Sequence, residues 1–239
     1  MTTALIQDLK AGLMADFSKT SHPSMVYGFD NEPLIFGNVG TAYGYVAEGT
    51  ANIKAGCRDY TIEAGNYFSF LTDGVFAVQG ECKGFVVNRL HYEGFNTVGG
   101  PIEKQGRLKY IDGCSDSLLI GPPVKGDPCL NLLHFPKGID QTMHTHPTIR
   151  AGLIHQGSGV CNTAEGPMEL HEGRMFILYP DAEHAFSTLN TDGMTLTVYH
   201  PDTDTGPWHD DHPMLNRTIV EGVSASKIDR IRTKDIKNA

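Results

Sequence analysis

Short apolar runs separated by glycine and proline dominate the chain. Among them are YGYVAEG, KGFVVNRL, LNLLHF, RMFILYP and MTLTVYH. Runs of this length, rich in β-branched and aromatic residues, are typical of strands, and many of them predict a sandwich or barrel. Only the first 17 residues have apolar positions near helical spacing, at Ala4, Leu5, Leu9, Leu13 and Phe17. The pattern therefore predicts an all-β protein with a short N-terminal helix.

Composition narrows the function classes. The chain has 239 residues with 19 Lys and Arg against 28 Asp and Glu, a net charge of −9. This balance argues against binding to nucleic acid or to an anionic membrane surface. No apolar run is long enough to cross a bilayer, and the N-terminus lacks a basic segment followed by an apolar block. The five cysteines are widely spaced without a CxxC motif, so we expect buried free thiols and a cytoplasmic protein.

An internal repeat organises the sequence. Residues 44–49 align with residues 152–157, and residues 62–70 align with residues 170–178, both at an offset of 108. We interpret this as two copies of one β-domain. The predicted boundaries are an N-terminal helical segment at 1–30, a first domain at 31–98, a linker at 99–127, a second domain at 128–203 and a tail at 204–239.

The two copies differ in their polar residues. The second copy contains His144, His146, Arg150 and His184, whereas the equivalent positions of the first copy are Phe36, Asn38, Ala42 and Phe76. Only the second copy therefore carries candidate chemistry, and we expect the first to have a structural or interface role.

Three histidines form the candidate metal site. His144 and His146 are two residues apart, so on a strand they would point to the same face. Two imidazoles on one inward face can share a metal ion, and His184, after a proline turn, can supply a third ligand. The alternative is that all three are ordinary core or turn histidines.

These residues resemble the cupin superfamily. Gly138, His144, His146, Arg150 and Gly157 have the spacing of one cupin motif. Gly173 and His184 fit the other motif, in which Tyr179, Asp181 and Thr188 replace the usual Pro, Gly and Asn. The resemblance covers residues 35–200 and implies two tandem double-stranded β-helix (jelly-roll) domains, with a metal only in the C-terminal one.

Arg150 is the main departure, because many cupins have a metal-binding Glu at this position. A guanidinium cannot bind a metal, which leaves three neutral histidines and open coordination positions. Arg150 could instead capture a substrate carboxylate or enolate. The alternative is an ion pair with Asp140, Glu165 or Asp181.

The resemblance implies one divalent ion and a small-molecule substrate. Some three-histidine cupins are iron oxygenases, so an Fe(II) dioxygenase is the favoured expectation, with Mn(II), Ni(II) or Zn(II) possible. A redox-neutral isomerase, lyase or decarboxylase is one alternative. A non-catalytic metal-dependent sensor or storage module is another. Open sheet edges suggest a homodimer or higher homo-oligomer.

Several further residues are candidates for the cavity. Gln156 shares strand parity with Arg150, and Tyr199 and Tyr179 could donate a phenol to substrate. His134 could line the cavity, whereas we expect His155 to face the other way. We expect His171 to lie in a surface turn. In the tail, His209 and His212 flank two aspartates and suggest either a second metal site or a solvated acidic loop.

Overall fold

A computed structural model describes residues 3–204 and 214–233. Met1–Gly206 form one compact unit and Pro207–Ala239 form another. In chain order, the strands of the first unit are β1 (Ala4–Asp8), β2 (Gly12–Phe17), β3 (Ser24–Asp30), β4 (Leu34–Phe36), β5 (Gly40–Ala55), β6 (Arg58–Glu63), β7 (Tyr67–Leu71), β8 (Phe76–Gln79), β9 (Cys82–Leu90), β10 (Thr97–Gly99), β11 (Leu108–Lys109), β12 (Ser115–Ile120), β13 (Cys129–Pro136), β14 (Arg150–Thr163), β15 (Gly166–His171), β16 (Arg174–Leu178), β17 (His184–Ser187) and β18 (Gly193–His200).

These strands form two 9-stranded sheets whose strand pairs are antiparallel. In the first sheet the order is β10-β7-β5-β9-β3-β2, with β6 and β8 also paired to β5, and β4 paired to β8. In the second sheet the order is β1-β16-β14-β18-β13-β12-β11, with β15 and β17 also paired to β14. The predicted all-β jelly-roll architecture is confirmed.

The two sheets contain equivalent strands that lie 108 residues apart in the sequence. β15 and β17 lie at that offset from β6 and β8. A Cβ atom added to Gly44 would lie 2.3 Å from the ring of Phe68, and one added to Gly152 would lie 2.6 Å from the ring of Phe176. In each sheet the ring therefore packs directly on the backbone of the long central strand, which only glycine permits. The internal repeat of the sequence is thus present in the fold.

Alternate residues of the central strands face different cores. On β5, Ala42 and Val46 pack inside the N-terminal sheet. Tyr43 and Tyr45 lie in a second core between the two sheets, where they meet Leu153 of β14 and its neighbours. A third core fills the C-terminal sheet. Because the central strands are buried on both faces, their sequences are almost continuously apolar.

The predicted N-terminal helix is wrong. Residues 4–8 form β1, which pairs with β16 from Ala4↔Leu178 to Asp8↔Arg174, and residues 12–17 form β2 on β3. Apolar residues spaced four apart fit one face of a strand as well as of a helix. Gly12, with φ +97, begins β2 in a backbone conformation that a helix cannot adopt. These residues form strands because each of the two segments pairs with the edge of a sheet.

The predicted linker 99–127 contains strands. β11 and β12 both lie within it and extend the C-terminal sheet beyond β13. Similarly, β3 lies in the predicted segment 1–30 but belongs to the N-terminal sheet. These short strands are stable only through pairing with neighbouring strands, so the turn-rich composition of the segment did not predict them.

In the described part of the second unit, residues 214–233, all helices and strands are short. Leu215–Arg217 and Ala225–Lys227 are 3-10 helices, and β19 (Ile219–Val220) pairs with β20 (Val223–Ser224). The suggested metal site at His209 and His212 lies outside the described residues. Within residues 3–204 and 214–233, no helix is long and apolar enough to span a membrane.

Candidate metal centre

The three predicted histidines lie together at one end of the C-terminal sheet. Their ligand-capable atoms all lie within 4.8 Å of one another. Their ring centroids are separated by 5.0 Å for His144 and His146, 4.5 Å for His144 and His184, and 5.2 Å for His146 and His184. Of the described residues, only these form a group of three or more His, Cys, Asp or Glu with such spacing.

The backbone brings the histidines together without the expected strand. Residues 141–149 form an irregular segment with bends at Pro147 and Thr148, and Pro147, which has no N–H, follows His146 directly. His144 forms an isolated bridge with His184, the first residue of β17, and each amide N–H donates to the other carbonyl at 2.9 Å. The carbonyl of His146 accepts from the Asp181 amide at 2.7 Å. These bonds hold the loop against the turn before β17.

Hydrogen bonds set the orientation of two of the rings. Nδ1 of His144 donates to the Thr142 carbonyl at 2.7 Å, and Nδ1 of His184 donates to the Ala182 carbonyl at 2.8 Å. Because a carbonyl only accepts, the proton must be on Nδ1 and the lone pair on Nε2. This is the arrangement by which metal-binding histidines are usually oriented.

Burial keeps two of the imidazoles neutral. Burial, together with the charges of Arg150 and the other two histidines, lowers the pKa of His146 to about 3. Burial likewise lowers the pKa of His184 to about 4, although the hydrogen bond to Ala182 opposes this. Neutral imidazole is the form that binds metals, so these residues fit a divalent ion at neutral pH.

A cavity of about 240 Å³ adjoins the histidines. Alternate residues of neighbouring strands line it, as the two-residue period of strands requires. Its apolar wall includes Leu133, Phe135, Phe176, Leu178, Phe186 and Val198. Its polar wall includes Tyr110, Asp116, Asn131, Gln141, Arg150 and His200. The cavity thus combines an apolar body with a few polar groups, as in small-molecule sites.

Arg150, the first residue of β14, lines this cavity. One terminal nitrogen donates to the Thr148 hydroxyl at 2.7 Å and to the Ile149 carbonyl at 2.8 Å. The Thr148 hydroxyl donates in turn to Asp202 at 2.5 Å. Nε is buried and has no hydrogen-bond partner among the described residues. The guanidinium is therefore held in place but retains a free donor.

The alternative of an ion pair with Asp140, Glu165 or Asp181 is wrong. No salt bridge joins Arg150 to a carboxylate in residues 3–204 and 214–233. Glu165 instead accepts a hydrogen bond from the Thr3 amide at 2.9 Å. The largest effect of an opposite charge on the pKa of Arg150 comes from Asp202, which accepts a hydrogen bond from the Thr148 hydroxyl.

The predictions for Gln156 and Tyr199 are wrong. A β-bulge between Ile154 and Gln156 shifts the register, so parity counted from Arg150 fails and Gln156 is exposed. Tyr199 is fully buried on the opposite face of β18 from Val198 and packs against Tyr43 in the core between the sheets. Neither residue lines the cavity.

The remaining candidates also lie outside the cavity wall. Tyr179 packs edge-on against Phe17, with ring centroids 5.2 Å apart. His134 contacts the Thr195 hydroxyl at 3.2 Å, while its neighbours on the strand line the cavity. As expected, His155 faces the other sheet, against Tyr45. His171 is exposed, as expected, but it ends β15 instead of lying in a turn.

Sequence reasoning missed five of the polar cavity residues, one of which is Asn131 on β13. Gln141 is buried and accepts a hydrogen bond from the Phe186 amide at 3.1 Å. Tyr110 and Asp116 come from the segment interpreted as linker, and His200 ends β18 one residue after Tyr199. Only His200 had a usable signal, because the apolar alternation of β18 places it on the face of Val198.

Aromatic side chains fill the equivalent place in the first sheet. Phe36 pairs with Phe76 in register, as His144 pairs with His184, and their rings stack with centroids 4.7 Å apart. Tyr27 stacks on the other side of Phe36 at 4.4 Å. The first copy therefore has a packed core where the second has its histidines.

Comparisons with known proteins support this class of fold. A model of the AraC-like ligand binding domain family matches residues 137–205. A cupin 2 conserved barrel domain protein from Leptotrichia buccalis has a TM-score of 0.54 at 13% identity, covering 82% of this chain and 88% of that chain. Protein Ylba from E. coli has a TM-score of 0.54 at 17% identity, covering 83% and 82%.

A third similar structure is a salicylate 1,2-dioxygenase variant from Pseudoaminobacter salicylatoxidans in complex with gentisate. Its TM-score is 0.55 at 9% identity, covering 80% of this chain and 74% of that chain. No curated protein sequence matches the chain. The likenesses confirm the cupin resemblance at the level of fold: the chain has the cupin barrel fold, with a three-histidine group that could hold a metal.

Proposed function

We propose that this protein is a metal-dependent cupin enzyme, an Fe(II) dioxygenase, that acts on a small anionic or oxygen-rich substrate. The observation that carries the proposal is the three-histidine group at a largely apolar cavity that also contains Arg150. His144, His146 and His184 would hold the ion. An ion bound there would supply Lewis-acid polarisation of a substrate oxygen and, if it is iron, reactivity toward O2.

The protein's own residues would bind and orient the substrate. Arg150 would pair with a carboxylate or enolate, because its buried Nε–H has no partner among the described residues and one of its terminal nitrogens is held by Thr148 and Ile149. The Leu and Phe side chains would cover the substrate body and exclude water. A salicylate 1,2-dioxygenase has a similar fold, which is consistent with this proposal.

Redox-neutral chemistry is the second candidate, and one observation favours it. The cavity contains a carboxylate, Asp116, which is separate from the histidine group and could serve proton transfer in an isomerase, lyase or decarboxylase.

Oxygen uptake tests the proposal. Apoprotein reconstituted anaerobically with Fe(II) is mixed with air-saturated buffer and a panel of phenolic acids, diketones and thiols. We expect uptake with at least one phenolic acid or diketone, its loss in His146→Ala, and its retention in His171→Ala, which removes an exposed histidine. Turnover that persists without O2 would select the redox-neutral candidate. Tight ligand binding with no turnover in the presence or absence of O2 would refute the proposed enzymatic function.

A further inference from the structure

The cavity contains a second polar feature besides the histidines and Arg150. Asp116 of β12 is 8% exposed and lines the cavity. Nδ2 of Asn131, on the adjacent strand β13, donates to both of its carboxylate oxygens, at 3.0 and 2.9 Å. No salt bridge reaches Asp116 within residues 3–204 and 214–233. A buried carboxylate without a cation is costly, and such groups concentrate at functional sites.

The Asp116–Asn131 pair presents unpartnered hydrogen-bond acceptors at the cavity. The amide nitrogen of Asn131 is used by Asp116, and its Oδ1 is buried with no hydrogen-bond partner among the described residues. Each carboxylate oxygen has a further lone pair beyond the one that Asn131 uses. An unpartnered acceptor next to a carboxylate suits a ligand group that donates hydrogen bonds.

Arg150 offers the opposite chemistry in the same cavity. Its Nε–H is a buried donor without a partner. The charges of Arg150 and Asp116 both act on Cys129 and on Tyr110, so the two groups lie in one polar region. Burial raises the pKa of Asp116 to about 6 despite the opposing effect of Asn131, and the carboxyl is mainly ionised at pH 7.5.

We propose that Asp116, positioned by Asn131, binds a hydrogen-bond-donating group of the substrate while Arg150 binds its carboxylate. The substrate class is therefore a small hydroxy acid or amino acid with an apolar body. This inference rests on the proposed function for the role of Arg150, and it assigns to the cavity a specificity that the metal site alone does not provide. A site built to bond a donor group rejects the analogue that lacks it.

Matched ligands test the inference by calorimetry. Phenylacetate, mandelate and phenylglycine share one carboxylate and one ring and differ in carrying hydrogen, hydroxyl or ammonium at the same carbon. They are titrated anaerobically at pH 7.5 into Zn(II)-loaded protein and into apoprotein. We expect mandelate or phenylglycine to bind at least about tenfold more tightly than phenylacetate, equivalent to about 1.4 kcal/mol. The better of the two identifies the donor as hydroxyl or ammonium.

Variants assign the preference to its residue. Asp116→Asn should reduce the tenfold ratio to near one while leaving the affinity for phenylacetate unchanged. Asp192→Asn, which removes an exposed carboxylate paired with Lys137 at 2.9 Å, should leave the ratio intact. An equal ratio in wild type and Asp116→Asn would overturn the inference, as would the absence of any preference or of any binding by the three acids.

Metal titration separates this inference from the proposed function. If Zn(II) does not bind but apoprotein still binds mandelate or phenylglycine more tightly than phenylacetate, the proposed metal-dependent function is refuted. The proposed role of Asp116 in specificity is then retained. If Zn(II) binds at one equivalent and the preference is missing, the metal site stands and the assignment of Asp116 fails.

Discussion

Replacing Asp116 with Asn should stabilise the metal-free protein at neutral pH. The folded state raises the pKa of this carboxyl from 3.8 to about 6, chiefly through burial. At about 1.4 kcal/mol for each tenfold change in proton affinity, ionised Asp116 costs the folded state about 3 kcal/mol. The amide is isosteric and uncharged, but it bonds Asn131 less well than a carboxylate does, at a cost of about 0.5–1.5 kcal/mol. A net gain of about 1.5–2.5 kcal/mol remains.

The pH dependence identifies the cause. Because the folded-state pKa is raised, the penalty is absent well below pH 3.8, grows as the pH rises toward 6 and is complete above that. The advantage of Asp116→Asn should therefore shrink by about 1.4 kcal/mol between pH 7.5 and pH 5.0.

Urea unfolding of wild type, Asp116→Asn and Asp192→Asn at both pH values measures the effect. Asp192 is exposed, so its variant controls for loss of a carboxylate at the surface. An Asp116→Asn variant that is no more stable than wild type at pH 7.5, or whose advantage does not change with pH, would refute the reasoning.

Three other predictions concern the remaining parts of the molecule. Phe76→Ala should lower the free energy of unfolding by about 3–5 kcal/mol in urea, because the ring is fully buried in the first core; a loss below about 1 kcal/mol would contradict this. Burial lowers the pKa of His155 to about 4, so its contribution to stability is complete above pH 6.5 and is lost as the pH falls toward 4. His155→Gln should therefore unfold at a lower midpoint pH than wild type in acid titrations followed by circular dichroism, and an unchanged midpoint would count against it. Arg150→Gln should weaken mandelate binding at least about tenfold by calorimetry while Zn(II) still binds at one equivalent; undiminished mandelate affinity would exclude an anion-binding role.

The sequence predicted the class of fold and the histidines, because both depend on local pattern. Apolar runs punctuated by glycine marked the strands, and the offset of 108 residues isolated the histidines as the difference between the two copies. The histidines meet although their segment is irregular, since the bridge between His144 and His184 needs no long strand. Oligomeric state, cytoplasmic location and the identity of the metal stay predictions.

What the sequence could not predict depends on long-range pairing. The first 17 residues are strands because two sheet edges are available to them, which no local spacing reveals. The β-bulge before Gln156 changes which face of β14 this residue occupies, so its predicted position in the cavity, which assumed the same face as Arg150, is wrong. Asp116 lies in a turn-rich segment, and only the pairing of β12 with β13 places it beside Asn131 in the cavity.

Metal stoichiometry tests the three-histidine centre most directly. Wild type, His146→Ala and His171→Ala are analysed for iron, manganese, nickel and zinc after purification without added metal and again after anaerobic reconstitution with Fe(II). The account predicts about one equivalent per chain in wild type and His171→Ala, and a loss of most of it in His146→Ala. No bound metal in reconstituted wild type, or equal metal content in all three proteins, would contradict it.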